Sequence, residues 1–258
     1  MKRVVMAYFS PTHTTQKVAR AIAEGTGIGE VVEVDMTCGD CGGFEAAEGD
    51  VVVMAGPVYS SRIPSVASER LEKIKGSGQP AVCVAVYGNN KFGDALIELA
   101  DIAEKSGLIA VAGAGFIGEH SYANNKWPIA IGRPNDDDIA LARAFGKNVI
   151  GKIAGGDEWK LGLKALALPG EIPNKPAPKM PFMQSVATER CTGCGKCIEA
   201  CPVGAIDEKL LCDGDKCIKC CACVKACPEN ARELTDPMIE KFSIKLSKMP
   251  DKDPEMFL

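Results

Sequence analysis

Short apolar runs alternate with stretches of helical periodicity over the first 150 residues. Five runs are apolar and rich in β-branched side chains, which predicts strands at residues 4–9, 31–34, 50–55, 81–87 and 108–112. Apolar positions recur at helical spacing in residues 14–24, 65–74, 94–105 and from Asn135 or Asp136 onward. Strands that alternate with helices predict an α/β domain with a doubly wound parallel sheet.

A proline-rich stretch interrupts this pattern and divides the chain. Five prolines fall between Pro169 and Pro181, where hydrophobic periodicity is lost, and ten of the thirteen cysteines follow them. The predicted organisation is an α/β domain over 1–156, a linker over 157–182, a small cysteine-rich α+β domain over 183–237 and a tail over 238–258. Helical spacing of apolar residues in the tail predicts a helix that packs on one of the domains; these residues are Ile239, Phe242, Leu246 and Met249.

The cysteine-rich region repeats one motif. The pattern Cys-x2-Cys-x2-Cys-x3-Cys-Pro begins at Cys191 and again at Cys217. This spacing is typical of bacterial iron–sulfur loops, in which the fourth cysteine binds the other cluster. A zinc site would need two Cys-x2-Cys pairs separated by a longer spacer, so zinc is disfavoured. The repeat predicts an electron-transfer protein.

Composition narrows the function classes further. The net charge is −4, the pI is near 5.4 and no Lys/Arg run occurs, which argues against nucleic-acid binding. The longest near-apolar stretch, residues 108–118, is too short to cross a bilayer. An odd number of cysteines and the lack of a signal-peptide pattern predict reduced thiols and a cytoplasmic location.

The loop after the first strand, Ser10-Pro-Thr-His-Thr-Thr15, places hydroxyls at the start of a helix. Hydroxyls, backbone N–H groups and the positive end of a helix together favour a phosphate site. The loop lacks the lysine of nucleoside triphosphate loops, so a permanently bound phosphate monoester fits better. The alternative is a well-capped helix with incidental threonines.

Ser-x-Thr-x-Thr-Thr resembles the FMN-phosphate loop of flavodoxins, whose sheet order is 2-1-3-4-5. Two further loops, residues 56–64 and 87–94, lie where flavodoxins hold the flavin ring. The whole chain resembles the flavodoxin-fused, two-cluster ferredoxin family of anaerobes. The resemblance implies FMN and two [4Fe-4S] clusters.

The same resemblance implies the binding residues. Cysteines 191, 194, 197 and 227 would bind one cluster, and the second cluster would be bound by Cys217, Cys220, Cys223 and Cys201. Tyr59 and Phe92 are the first candidates for stacking on the flavin, with Tyr87 third. The full predicted FMN set is Ser10, Pro11, Thr12, His13, Thr14, Thr15, Pro57, Val58, Tyr59, Ser60, Arg62, Tyr87, Gly88, Asn89, Asn90, Phe92 and Asp94.

Other patterns are weaker. His120 could donate a proton near the flavin, although a lone histidine is more often structural. Residues 113–118 match the dinucleotide-binding string Gly-x-Gly-x-x-Gly but are not followed by a helical pattern. Cys38 and Cys41 could form a redox pair, although surface thiols of a loop are the simpler interpretation, and Cys83 is predicted to pack in the core. Cys212 and Cys221 lie outside both sets of predicted ligands.

The favoured function is therefore an electron carrier that links a low-potential donor to a redox partner. The alternative is an FMN/iron–sulfur oxidoreductase that reduces a small molecule, and a third option is a redox-sensing or cluster-delivery module. Partner proteins are expected to be redox proteins, and a homodimer remains open. Gly193 and Gly195 predict close approach of backbone amides to the first cluster, which would make it the easier one to reduce.

Overall fold

The computed structural model describes residues 1–39, 41–178, 184–234 and 236–258. Within these ranges the chain forms ten strands: β1 (Arg3–Tyr8), β2 (Val31–Asp35), β3 (Phe44–Glu45), β4 (Asp50–Pro57), β5 (Ile74–Lys75), β6 (Pro80–Tyr87), β7 (Ile109–Ile117), β8 (Val186–Ala187), β9 (Arg232–Glu233) and β10 (Glu255–Phe257). The helices of the same ranges are α1 (Thr14–Gly25), α2 (Ser65–Leu71), α3 (Ala95–Lys105), α4 (Asp136–Ala154), α5 (Lys196–Glu199), α6 (Ala222–Lys225) and α7 (Pro237–Leu246), together with a 3-10 helix over Glu158–Lys164.

The main sheet has the order β2-β1-β4-β6-β7-β10. Its first five strands are parallel, so the predicted α/β fold with strand order 2-1-3-4-5 is confirmed and the fold is flavodoxin-like. The sixth strand, β10, pairs antiparallel with β7 and places Glu255 opposite Gly115. It has only three residues, which is too few for a periodic signal in the sequence.

Helices cover both faces of the sheet. Because side chains alternate along β1, Val4 and Met6 face α1 and α4, whereas Val5 and Ala7 face α2 and α3. These apolar residues are fully buried. Each such burial contributes about 1.5–3 kcal/mol for a side chain of valine size or larger. The sequence predicted α2 to reach residue 74, but α2 ends at Leu71 and Ile74 begins β5, which pairs with β3.

Strand β7 extends to Ile117 and therefore includes most of the Gly-x-Gly-x-x-Gly string. Gly115 has a packing role, because an added Cβ would lie 2.7 Å from a ring atom of Phe92. A dinucleotide-binding loop should open a helix, so this string does not have that role.

The described part of the predicted linker, 157–178, packs along the flavodoxin-like domain. Leu166 is buried in the same core as α3, and the Glu171 N–H donates to Asp94 Oδ1 at 3.2 Å. Arg62 Nη2 donates to the Lys175 carbonyl at 3.1 Å. Residues 179–182 of the predicted linker and Met183, the predicted start of the next domain, lie outside the described residues.

The cysteine-rich region has an internal twofold pattern. One short helix lies within each copy and contains its third cysteine, Cys197 in α5 and Cys223 in α6. β8 and β9 pair antiparallel, and Ile206 forms an isolated bridge with Cys212. The chain then returns to the first domain through α7 and β10, so the predicted tail contains both a helix and a strand. No described helix has the length and apolar character needed to cross a membrane.

Candidate functional site

A cavity of about 350 Å³ lies at the carboxyl ends of the parallel strands. This volume is in the range of small-molecule and cofactor sites, and the position is where ligands bind in open α/β sheets. Its wall comes from both domains and from the tail. The lining residues are Thr12, Thr14, Pro57, Val58, Tyr59, Ser60, Ser61, Val86, Tyr87, Gly88, Asn90, Lys91, Gly118, Glu119, His120, Ser121, Tyr122, Ile218, Lys219, Met238, Ile239 and Phe242.

One end of the cavity is the start of α1. Thr12 and Thr14 line it, and His13, which precedes α1 in a left-handed conformation (φ 64°), makes no side-chain capping bond. Ser10 Oγ accepts from the Gln16 N–H in the first turn of α1 at 3.0 Å, and the Ser10 N–H donates to Thr37 Oγ1 at 2.8 Å. The start of a helix favours an anion, because backbone N–H groups point outward there.

The structure brings ten predicted site residues to the cavity. They are Thr12, Thr14, Pro57, Val58, Tyr59, Ser60, Tyr87, Gly88, Asn90 and His120. The other eight do not line it, and they are Ser10, Pro11, His13, Thr15, Arg62, Asn89, Phe92 and Asp94.

Several of these eight have structural partners. Arg62 donates two hydrogen bonds to Glu98, at 2.9 and 2.8 Å, and this carboxylate raises the pKa of the guanidinium. Asn89 is buried and holds the tail, donating to the Pro250 carbonyl at 3.1 Å. Phe92 packs edge-on to Tyr87, with ring centroids 5.6 Å apart, and lies in the core.

Sequence reasoning missed the part of the cavity wall that lies far along the chain. Ile218 and Lys219 come from the second cysteine loop, whereas Met238, Ile239 and Phe242 come from α7. The sequence predicted the helical spacing of Ile239 and Phe242, but it did not indicate that these residues line the cavity. The missed residues near the predicted loops are Ser61, Val86, Lys91, Gly118, Glu119, Ser121 and Tyr122.

His120 lies in this wall and is held in one orientation. Its Nδ1 accepts from the Tyr122 N–H at 3.1 Å, so the proton of the neutral ring is on Nε2. Burial, and then the charge of Lys225, lower the pKa of His120 to about 4. Gly88 allows this placement, because an added Cβ would lie 2.3 Å from His120 Cδ2.

Tyr59 connects the cavity wall to the second cysteine loop. Burial raises the pKa of the Tyr59 hydroxyl well above its ordinary value, with further contributions from Cys220 and Cys221. Ile218 and Lys219 of the second cysteine loop line the same cavity as Tyr59.

Two smaller cavities in the cysteine-rich region separate the cysteines into two sets. The first is lined by Cys191, Cys194, Cys197 and Cys227. The second is lined by Cys201, Cys217, Cys220 and Cys223, and also by Cys212 and Cys221. Each set therefore contains three cysteines of one repeat and the fourth cysteine of the other.

The two crossing cysteines have matching surroundings. Cys201 Sγ accepts from the Ala205 N–H, and Cys227 Sγ accepts from the Ala231 N–H, both at 3.2 Å. Burial raises the pKa of Cys217 to about 11. A thiol must lose its proton before it can bind a metal.

The three cysteines of the flavodoxin-like domain are separate from both sets. Cys83 is fully buried in β6, and burial raises its pKa to about 12. Cys41 is buried with its Sγ 3.2 Å from the Cys38 carbonyl, whereas Cys38 is exposed. Asp40, between them, lies outside the described residues.

Direct contacts fasten the cysteine-rich region to the first domain. Lys225 Nζ donates to Glu119 Oε1 at 2.7 Å and to the Ala123 carbonyl at 2.9 Å. Arg70 Nη2 donates to the Pro202 carbonyl at 2.7 Å. Pro202 ends the first cysteine motif and Lys225 lies in the second, so both copies contact the first domain.

Comparison with known families agrees with the cysteine pattern. Residues 185–207 and 213–233 match the family described as 4Fe-4S binding domain. The two matched segments contain all eight cysteines of the two sets. This region is an iron–sulfur domain.

Similar solved structures include an archaeal flavodoxin, which is 15% identical and has a TM-score of 0.42 over 59% of this chain and 99% of that chain. A flavodoxin of Streptococcus pneumoniae TIGR4 is 15% identical, with a TM-score of 0.40 over 58% and 98% of the two chains. An azoreductase from Bacillus anthracis str. Sterne is 12% identical, with a TM-score of 0.37 over 59% and 100%. A search of curated proteins finds no match.

Proposed function

We propose that this chain is an electron-transfer protein in which two [4Fe-4S] clusters and FMN exchange electrons within one molecule, linking a low-potential donor to a redox partner. The observation that carries the proposal is the shared wall of the large cavity. Loops of a flavodoxin-like sheet and residues Ile218 and Lys219 of the second cysteine loop line the same space. A cofactor in that space would be next to the second cysteine set.

The residues present fit the implied cofactors. Thr12, Thr14 and the start of α1 suit a phosphate, and Tyr59 and Tyr87 offer rings in the cavity wall. The two sets of four cysteines suit two [4Fe-4S] clusters. When bound, a flavin supplies one- and two-electron chemistry, and each cluster supplies one-electron chemistry.

Exposure gives the two cysteine sets different tasks. Cys194 of the first set is exposed, whereas Cys220 and Cys223 of the second set are buried. A redox partner can approach the first set directly, while the second set faces the cavity. We therefore assign the first set to exchange with donor and acceptor proteins and the second set to exchange with the flavin. Unpaired thiols throughout the chain suit a reducing, cytoplasmic setting.

A second candidate function is reduction of a small molecule at the flavin, and His120 is the observation that favours it. Its Nε2–H belongs to a ring that lines the cavity and is neutral near pH 7. Such a group can donate a hydrogen bond to a bound electron acceptor. Phe242 and Met238 of α7 would form an apolar wall beside that acceptor.

Laser-flash photoreduction of the fully loaded protein tests the proposed function. One centre should be reoxidised as the other is reduced, so the absorbance changes of clusters and flavin should have the same rate. This rate should not depend on protein concentration, because the exchange is intramolecular. A rate that rises in proportion to protein concentration would show exchange between molecules and contradict the proposal. His120→Gln tests the second candidate with a water-soluble quinone as probe: loss of quinone reduction with unchanged photoreduction kinetics would support it.

A further inference from the structure

The two cysteine loops have the same backbone conformation but different side chains at two matched positions. In the first loop Gly193 and Gly195 have φ values of 75° and 76°. The equivalent residues of the second loop, Lys219 and Cys221, have φ values of 60° and 61°. This left-handed region favours glycine, so both side chains of the second loop are kept against the backbone preference.

The matching φ values of the two loops remove the reason to expect that the first cluster is the easier one to reduce. Gly193 and Gly195 suggested that backbone amides approach only the first cluster closely. Since Lys219 and Cys221 hold the second loop in the same conformation, its amides are presented in the same way. At these two matched positions the sites therefore differ in their side chains.

Lys219 carries the larger difference, because it is a buried cation. Its residue is 6% exposed, and its Nζ donates to the Gly214 carbonyl at 2.7 Å and to the Cys217 carbonyl at 2.6 Å. Within the described residues it forms no ion pair with a carboxylate. A buried charge without a counter-ion is costly, and a nearby negative group would compensate that cost.

The position of Lys219 indicates which negative groups these are. It is one of two residues, with Ile218, that line both the large cavity and the cavity of the second cysteine set. Its ammonium is bound to the carbonyl of Cys217, a member of that set. A reduced cluster and a reduced flavin each gain negative charge, and a fixed positive charge nearby favours reduction.

We propose that Lys219 supplies a fixed positive charge between the flavin cavity and the second cysteine set, and that this charge makes both redox centres easier to reduce than they would otherwise be. The effect on the second cluster depends only on the cysteine set, whereas the effect on the flavin also rests on the proposed function. The first set has Gly193 at this position and receives no such charge. Lys219 thus directs electrons inward, from the exposed set to the cavity.

Redox titrations of Lys219→Gln and Lys219→Gly test this proposal. Glutamine removes the charge and keeps a long side chain, and glycine copies the first loop and relieves the left-handed backbone. Lys216→Gln is the matched control, since its side chain is 64% exposed in the same loop. Cluster midpoints are read anaerobically by EPR and the flavin midpoint by visible absorbance.

Both Lys219 variants should shift the reduction equilibrium of the second cluster about tenfold toward the oxidised form, which corresponds to about 59 mV for one electron. The flavin should shift in the same direction, and the first cluster and the Lys216→Gln control should not. Unchanged midpoints of the second cluster in both variants would overturn the proposal. Flash kinetics of the wild-type protein that depend on concentration would contradict the proposed function. The midpoint of the second cluster would still test the role of Lys219, because it does not depend on the flavin.

Discussion

Lys225 Nζ lies 2.7 Å from Glu119 Oε1, and this ion pair joins α6 of the iron–sulfur domain to the loop that carries His120. The same ammonium donates to the Ala123 carbonyl. Both side chains are about one-third exposed, at 35% and 29%. One side chain therefore fixes the position of the second cysteine loop and also lowers the pKa of a residue in the cavity.

Replacing Lys225 by Met should weaken this docking contact and slow the exchange between flavin and clusters. The lost hydrogen bonds to a carboxylate and a carbonyl correspond to about 1–2 kcal/mol after allowance for exposure. Flash photoreduction of the loaded variant measures the effect. The control is Lys105→Met, which removes the Lys105–Asp101 ion pair within α3. Equal rates in the Lys225 variant and the control would mean that the contact does not hold the domains in register.

The crossed arrangement of cysteines predicts a specific loss in each single variant. Cys227→Ser should remove or alter the EPR signal of the cluster bound by the first loop, and Cys201→Ser that of the second, because each lies in the cavity of the other repeat. Iron content should fall by about half when one of two cubane clusters is lost. Cys38→Ser, at an exposed position outside both sets, is the control. Loss of the second-loop signal in Cys227→Ser would contradict the crossing.

The hydroxyls at the start of α1 should contribute to FMN affinity. Thr12→Val or Thr14→Val would each remove one hydrogen bond to a charged phosphate, which is worth about 1.5–3 kcal/mol, so the Kd should rise at least about tenfold. Quenching of FMN fluorescence by the apoprotein measures this. Thr15→Val is the matched control because Thr15 is buried and does not line the cavity. An equal loss in the control would point to a general effect on the helix.

His120 should remain neutral through the range in which histidines ordinarily titrate. Its pKa is lowered to about 4, so its ring resonances should not shift between pH 8 and 5.5, whereas a ring with a pKa near 6.5 would titrate fully or nearly so. The chain has only two histidines, and His13→Gln assigns the spectrum. In Lys225→Met the pKa of His120 should rise, because a neighbouring positive charge is removed. A midpoint near 6.5 in the wild type would contradict the burial of the ring.

The lowered pKa of His120 also makes the stability of the folded chain depend on pH. The depressed pKa means that the unfolded chain binds a proton at this site between about pH 6.5 and 4, while the folded chain does not. His120 therefore favours the folded state above pH 6.5, and this contribution is lost as the pH falls through that interval.

The sequence was sufficient for features encoded in short segments. The alternation of apolar runs predicted the five parallel strands, and the repeated cysteine motif predicted the region that matches the 4Fe-4S family. The loops in which the family resemblance places the flavin also supply much of the cavity wall, including Tyr59, Tyr87 and His120. Such features can be predicted because the spacing of residues within one short segment determines them.

Other parts of the site depend on contacts between distant segments. Phe92 has the ring expected of a flavin partner, yet it packs in the core, where the lack of a side chain at Gly115 leaves room for it. Arg62 has a loop position suited to a ligand, but Glu98 in α3 binds it. Lys219 is buried and lines the cavity, although a lysine in a loop is ordinarily expected at the surface.

Strand β10 is the last element of the chain to be synthesised, which delays completion of the main sheet. The flavodoxin-like sheet is completed at the β7 edge by residues 255–257, which a ribosome produces only after the whole iron–sulfur region. Until then the β7 edge has no β10 partner, and an unpaired edge invites association with other chains. The cysteines of both sets are therefore synthesised before β10 can cover the β7 edge.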